Sequence, residues 1–167
     1  MDVKLIVTCD PAHAESSREK LELLLSEVGV KAEFLKSKYS GIFLLSVSKP
    51  REVIKKLKAL AKKTSELFGK TYRYIPVDSW VKSEIPAMQK AIKPLVPKIG
   101  EDEKWMMDLE KRYYDKHDFK ELIIKLTDVV DRKNIDLKKP QKIIKVEIIG
   151  KDAGISLLTP DEMLTVS

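Results

Sequence analysis

The sequence predicts an α+β protein in two parts: an N-terminal unit of order β-α-β-β-α-β over residues 1–76, and an α/β unit over residues 77–167. Three observations carry this. Short runs rich in β-branched residues alternate with stretches whose apolar residues recur at helical spacing. Pro and Gly fall at the junctions. Apolar residues make up 43% of 167 positions, enough to bury one moderate core or two small ones.

Residues 3–8 (VKLIVT) read as a buried strand, and Asp10-Pro11 supplies a cap and a first-turn proline for the helix that follows. That helix carries Leu21, Leu24, Leu25 and Val28, and Gly29 ends it. Residues 31–36 and 41–47 are the next two strands, joined around Lys38-Tyr39-Ser40-Gly41. Pro50 opens a second helix with Val53, Ile54, Leu57, Leu60, Ala61 and Leu67 on one side, and residues 71–75 form a fourth strand. This order is the ferredoxin-like motif, an antiparallel sheet with both helices on one face.

The second part reads α-β-α-β-β-β. Ser83 is expected to cap a helix bearing Ile85, Met88, Ile92, Leu95 and Ile99, kinked or shortened by Pro94 and Pro97. A strand at residues 104–109 follows. Asp118 to Glu121 resembles a capping box ahead of a helix with Leu122, Ile123, Leu126, Val129 and Val130. Strands at 143–149 and 154–158 flank a turn from Gly150 to Gly154, and a short strand at 163–166 closes the chain. No linker rich in Gly or Ser and no internal repeat separates the parts.

Charged residues are 35% of the chain and the net charge is +6, which permits an anionic partner without requiring one. One Asn and two Gln against many Lys and Glu is a thermophile-like bias. Cys9 is the only cysteine, so no internal disulfide forms and a reducing, cytoplasmic setting is the expectation. The N-terminal apolar run is too short for a signal peptide, and no stretch reaches the roughly 18 apolar residues of a membrane span.

From Arg73 onward the chain also carries a set of short motifs in order. They are Arg73-Tyr74-Ile75-Pro76-Val77-Asp78, then Glu110-Lys111-Arg112, Val130-Asp131 and Asp136-Leu137-Lys138-Lys139-Pro140. A strand pair follows, with Val146-Glu147-Ile148-Ile149-Gly150 and Ala153-Gly154-Ile155-Ser156. Together they resemble the THUMP domain. The likeness is greatest to small archaeal and eukaryotic proteins in which a ferredoxin-like domain precedes THUMP and nothing follows. The eukaryotic ones are similar to adaptors for the RNA cytidine acetyltransferase that makes 4-acetylcytidine in tRNA. The resemblance implies a non-catalytic tRNA-binding protein that presents tRNA to such an enzyme. Other THUMP proteins fuse the module to a methyltransferase, sulfur-transfer or deaminase domain. With Ser167 just after the last strand, no further domain of roughly 100 residues is expected. A tRNA-binding subunit for a methyltransferase, thiolation enzyme or deaminase is the alternative.

Candidate RNA contacts follow from charge placement. Lys111 and Arg112 stand beside Tyr113, Tyr114 and Lys116, a grouping suited to clamping a phosphate and stacking on a base; a solvated strand end is the bland alternative. Lys138, Lys139 and Lys142 flank Pro140 on a loop suited to backbone phosphates, or simply to solubility. Residues 49–70 hold eight Lys and Arg against two Glu; Arg51, Lys55, Lys58 and Lys62 line one helix face. Arg73 either contacts RNA or pairs with an acid. Cations of both parts are expected to make one docking strip.

Enzyme chemistry finds little footing. One Cys and two His give no zinc ligand set, and no Gly-rich phosphate loop occurs; no cofactor or metal is expected. A small ferredoxin-like hydrolase of phosphoanhydrides would have to use Thr8-Cys9-Asp10-Pro11, a thin candidate. The acidic run Glu101-Asp102-Glu103 reads as solvated loop or as a contact for a basic partner, and Trp80 and Trp105 as core or interface residues.

Overall fold

A computed structural model describes residues 1–166. The described residues divide into two compact units, Met1–Val77 together with 161–166, and Asp78–Pro160. The tail of the range expected for the second domain, 77–167, therefore groups with the first unit. The reason is hydrogen bonding: the closing strand pairs with a strand of the first sheet.

In the first unit, β1 (Leu5–Cys9), α1 (Ala14–Glu27), β2 (Ala32–Leu35), β3 (Ile42–Val47), α2 (Pro50–Lys63) and β4 (Thr71–Pro76) appear in the expected order. The Asp10 carboxylate accepts from the Ala12 amide and caps a 3-10 turn that leads into α1. The strands are antiparallel in the order β2-β3-β1-β4, the ferredoxin-like arrangement. Leu5 and Val7 of β1, Leu45 of β3 and Tyr74 of β4 share one core with Leu21, Leu24 and Leu25 of α1 and Val53, Ile54 and Leu57 of α2. Both helices thus cover one face. Leu67, expected on the second helix, lies in a 3-10 turn beyond it and is exposed.

In the second unit, β5 (Ser79–Lys82) is a strand the sequence pattern does not announce. α3 (Ile85–Ile92) is followed by a 3-10 turn over Lys93–Lys98, because Pro94 and Pro97 cannot donate to an α-helical ladder. Ser83 does not cap α3; its hydroxyl donates to the Gly150 carbonyl at 2.7 Å and ties β5 to a turn. β6 (Trp105–Arg112), α4 (Phe119–Thr127), β7 (Lys142–Ile149) and β8 (Asp152–Leu158) complete the unit. Asp118 caps α4 as expected, accepting from the Glu121 amide at 2.8 Å. Gly150 turns β7 into β8 at φ 59°, where a side chain would strain the backbone. The closing strand β9 (Leu164–Thr165) pairs with β4, opposite Tyr74 and Arg73.

The second sheet has the order β5-β8-β7-β6, with β6 and β7 parallel and the other neighbours antiparallel. Trp105, Met107 and Leu109 of β6 meet Ile144, Val146 and Ile148 of β7 and the apolar sides of α3 and α4 in one core. The alternate residues occupy the helix-free face. There the fully buried Lys145 ammonium lies 3.4 Å from Asp108 and 3.2 Å from Glu147. Glu147 also lies 3.7 Å from Arg112.

A buried ammonium is tolerated only with its partners in place. Glu147→Leu is expected to cost roughly 3–5 kcal/mol in urea unfolding, and adding Lys145→Met to recover most of that loss.

Candidate nucleic-acid interface

Lys111 and Arg112 are the last two residues of β6 rather than residues after it. Because successive strand residues point to opposite faces, they diverge. Lys111 shares the face of Leu109, and its ammonium donates to the Tyr114 carbonyl at 3.4 Å. Arg112 shares the face of Asp108 and is held against Glu147. The expected two-cation clamp is therefore not assembled from one face. Tyr113, which follows, sits in the left-handed region at φ 56° and is 56% exposed. A non-glycine residue there costs of order 1–3 kcal/mol and is kept only where the surroundings enforce it. The Arg112 carbonyl accepts from Gly150 at 2.9 Å and fixes the departure of the chain. Tyr114 is half-buried near His117, with its phenol pushed up by burial and then by the Glu121 charge. His117 hydrogen-bonds Glu121. Lys116 is exposed and makes no ion pair among the described residues.

The segment from Asp131 to Gln141 is irregular but strongly tethered. The Trp105 amide donates to the Asn134 carbonyl, the Asp136 amide to the Trp105 carbonyl, and the Gln141 amide to the Lys104 carbonyl. The Trp105 indole donates to the Arg132 carbonyl at 3.1 Å. Asp136 accepts from the amides of Lys138 and Lys139, both at 2.9 Å, so it shapes the loop. Those two backbone bonds, then the Lys104 charge, hold its carboxyl below the usual range. The result presents Lys138 and Lys139 to solvent without an ion pair among the described residues. Lys142 is different. Its ammonium lies 2.9 and 3.0 Å from the two oxygens of Glu103. Glu103 in turn accepts from the Gly100 amide at 2.7 Å, and these contacts depress its pKa. Within the acidic run, Glu103 is thus a loop-builder while Glu101 and Asp102 face water. The loop also exposes Ile135 by 60% and Leu137 by 72%.

The parallel register sets the distance between these two groups. Trp105 stands opposite Lys142 and Arg112 opposite Ile149. Seven strand steps separate the ends, about 23 Å. Lys138, Lys139 and Lys142 therefore enter at one end of the β6–β7 pair, and Lys111, Arg112 and Lys116 leave at the other.

In the first unit, Arg51, Lys55, Lys58 and Lys62 line one wall of an open groove along α2, with Asp161 and Glu162 on the other. Arg51 Nε is 3.1 Å from Glu162, and the Lys58 ammonium donates to the Asp161 carbonyl. Lys55 and Lys62 are in no ion pair among the described residues. Lys49, ahead of the helix, is held at φ 54°. Arg73 lies half-buried on β4, on the face opposite Tyr74, between Thr8 and Thr165.

Cys9 is buried, and desolvation pushes its thiol up, the reverse of what a nucleophilic thiolate needs. Among the described residues, no group of three or more His, Cys, Asp or Glu is placed to hold a metal, and no helix is long and apolar enough to cross a membrane. Trp105 is core, at 1% exposure, and Trp80 is half-buried on β5. The backbone tethers of the loop leave no trace in the sequence. They join residues some 30 positions apart by backbone bonds, and such bonds impose no side-chain pattern.

No protein-family model matches the chain, and no curated protein does. Solved structures do. PH1313 from Pyrococcus horikoshii superposes with a TM-score of 0.72 at 14% identity, over 98% of this chain and 55% of that one. TrmN from Thermus thermophilus gives 0.56 at 14% identity, over 96% and 45%. A 4-thiouridine synthetase, in complex with RNA and bound ATP, gives 0.54 at 13% identity, over 98% and 42%. The fold of this chain is the one these proteins contain, and the chain spans about half the length of each.

The depressed Asp136 carboxyl makes the loop pH-dependent. A carboxylate whose folded pKa lies below its unfolded value stabilises at neutral pH, and that contribution disappears as pH falls through the folded value. Amide exchange at Lys138 and Lys139 is therefore expected to accelerate only below the usual Asp range, and Asp136→Ala to show fast exchange already at neutral pH.

Proposed function

We propose that this chain is a THUMP-type tRNA-binding module, itself without catalysis, that presents tRNA to a separate modifying enzyme. The observation that carries the reading is a rigidly tethered loop that exposes Lys138 and Lys139 without counter-ions among the described residues, on a fold shared with a 4-thiouridine synthetase solved with RNA. Lysines of this kind grip phosphates without reading sequence, which suits a carrier that serves several tRNAs. Lys116, Lys111 and Arg112 supply a second contact at the far end of β6. Arg73 and the α2 lysines Lys55, Lys58 and Lys62 add a third region in the first unit.

The partner enzyme, on the resemblance of the ordered motifs between Arg73 and Ser156, is an RNA cytidine acetyltransferase that forms 4-acetylcytidine. A second reading has a specific observation behind it. The fold neighbours include a 4-thiouridine synthetase, which favours a subunit serving thiolation. Reconstitution with a purified acetyltransferase separates the two: the first reading requires 4-acetylcytidine formation on tRNA to rise when the chain is added.

Electrophoretic binding to total tRNA tests the site. Lys138→Ala plus Lys139→Ala should weaken binding roughly tenfold. The slope of log K against log salt should become shallower by about 0.7–0.9 for each phosphate no longer neutralised. Lys111→Ala plus Arg112→Ala should act in the same direction. Unchanged retention of tRNA by the protein carrying all four alanines would remove the interface.

A further inference from the structure

We propose that the groove between α2 and the turn bearing Asp161 and Glu162 is a binding site for a ribose-phosphate backbone, and that Glu162 occupies its arginine in the free protein as an internal competitor. This rests on the RNA-binding reading above and adds to it a regulated site within the first unit.

The groove is built asymmetrically. One wall is α2, where Arg51, Lys55, Lys58 and Lys62 recur along about 16 Å of helix. Like charges at these spacings oppose helix formation, so the helix gains when an anion enters. The other wall is the turn bearing Asp161 and Glu162. Two of its contacts with α2 differ in kind. Glu162 sets a carboxylate 3.1 Å from the Arg51 guanidinium. The same fork accepts a phosphate in the same plane. Lys58 donates to the Asp161 carbonyl, which holds the turn in place without cancelling the lysine charge. Lys55 and Lys62 remain on the wall outside any ion pair among the described residues.

Glu162 is displaceable. Its side chain is 28% exposed and that of Arg51 34%, so water screens the pair and exchange for another anion costs little. The turn is followed by the short β9, where Leu164 and Thr165 pair with β4 and the Val166 amide donates to the Tyr72 carbonyl at 2.7 Å. A backbone laid along Lys55 and Lys62 would take Arg51 from Glu162. The carboxylate therefore raises the threshold for anion binding without abolishing it.

The test is fluorescence anisotropy with a labelled single-stranded RNA oligonucleotide and with total tRNA, across a salt series. Glu162→Gln should bind roughly two- to five-fold tighter at low salt. Lys55→Ala plus Lys62→Ala should bind more weakly, with a salt slope shallower by about 1.4, and should cancel most of the gain from Glu162→Gln. Unchanged or weaker binding by a folded Glu162→Gln protein overturns the competitor. Should that variant fail to fold, Lys55→Glu plus Lys62→Glu probes the groove without touching the turn: affinity must fall, and undiminished affinity overturns the site. If the wild type binds neither RNA, the function proposed above fails by itself. Inorganic polyphosphate is then the probe. Tighter binding by Glu162→Gln supports the groove, and equal binding overturns it as well.

Discussion

The parallel pairing of β6 with β7 governs the second unit. A parallel pair needs a long crossover, and here α4 and the loop from Asp131 to Gln141 provide it. The crossover must return to the start of β6, where the Trp105 backbone receives it through both its amide and its carbonyl. That anchoring makes an irregular loop rigid, and a rigid loop can hold Lys138 and Lys139 in water at fixed positions. The same register sends Lys111 and Arg112 to the opposite end. Between the ends lies Lys145 with Asp108 and Glu147, a buried ionic row that also holds Arg112.

Charge count and usable charge separate in this protein. Lys142 and Arg112 look like their neighbours in the sequence, yet each is held by a carboxylate. Lys138, Lys139 and Lys116 have no such partner among the described residues. Surface pairs contribute little to stability, but they matter for binding, because a phosphate must displace the resident carboxylate before it gains the cation. Lys142 is better understood as part of the loop's foundation, bridging Glu103 and the Lys98 carbonyl. Arg112 is half-buried, with its guanidinium 3.7 Å from Glu147.

The N-terminal unit is legible in the sequence because its signals are local. Helical spacing of Leu21, Leu24 and Leu25, the Asp10-Pro11 start and the β-branched runs all act within one element. The α+β class and the ferredoxin-like order follow from them. Where partners are distant in sequence, the pattern misleads. β5 is four residues long and owes its existence to pairing with β8. Ser83 resembles a cap but spends its hydroxyl on Gly150, 67 positions away. β9 resembles a last strand of the second unit and joins the first sheet instead. The candidate cations are visible in the sequence, but not their division into paired and exposed. The alternation that turns Lys111 and Arg112 apart depends on β6 running three residues past the expected end at 109, a length set by its partner β7 rather than by its own side chains.

The proposed function rests on the exposed lysines, and their accessibility can be read directly. Lysine acylation followed by mass spectrometry, with and without tRNA, compares every ammonium in one experiment. Lys145, fully buried, should stay unreactive in both states and serves as the internal standard. Lys116, Lys138 and Lys139 should react freely in the absence of RNA and be protected when tRNA is bound. Equal labelling of these three with and without saturating tRNA would contradict the account.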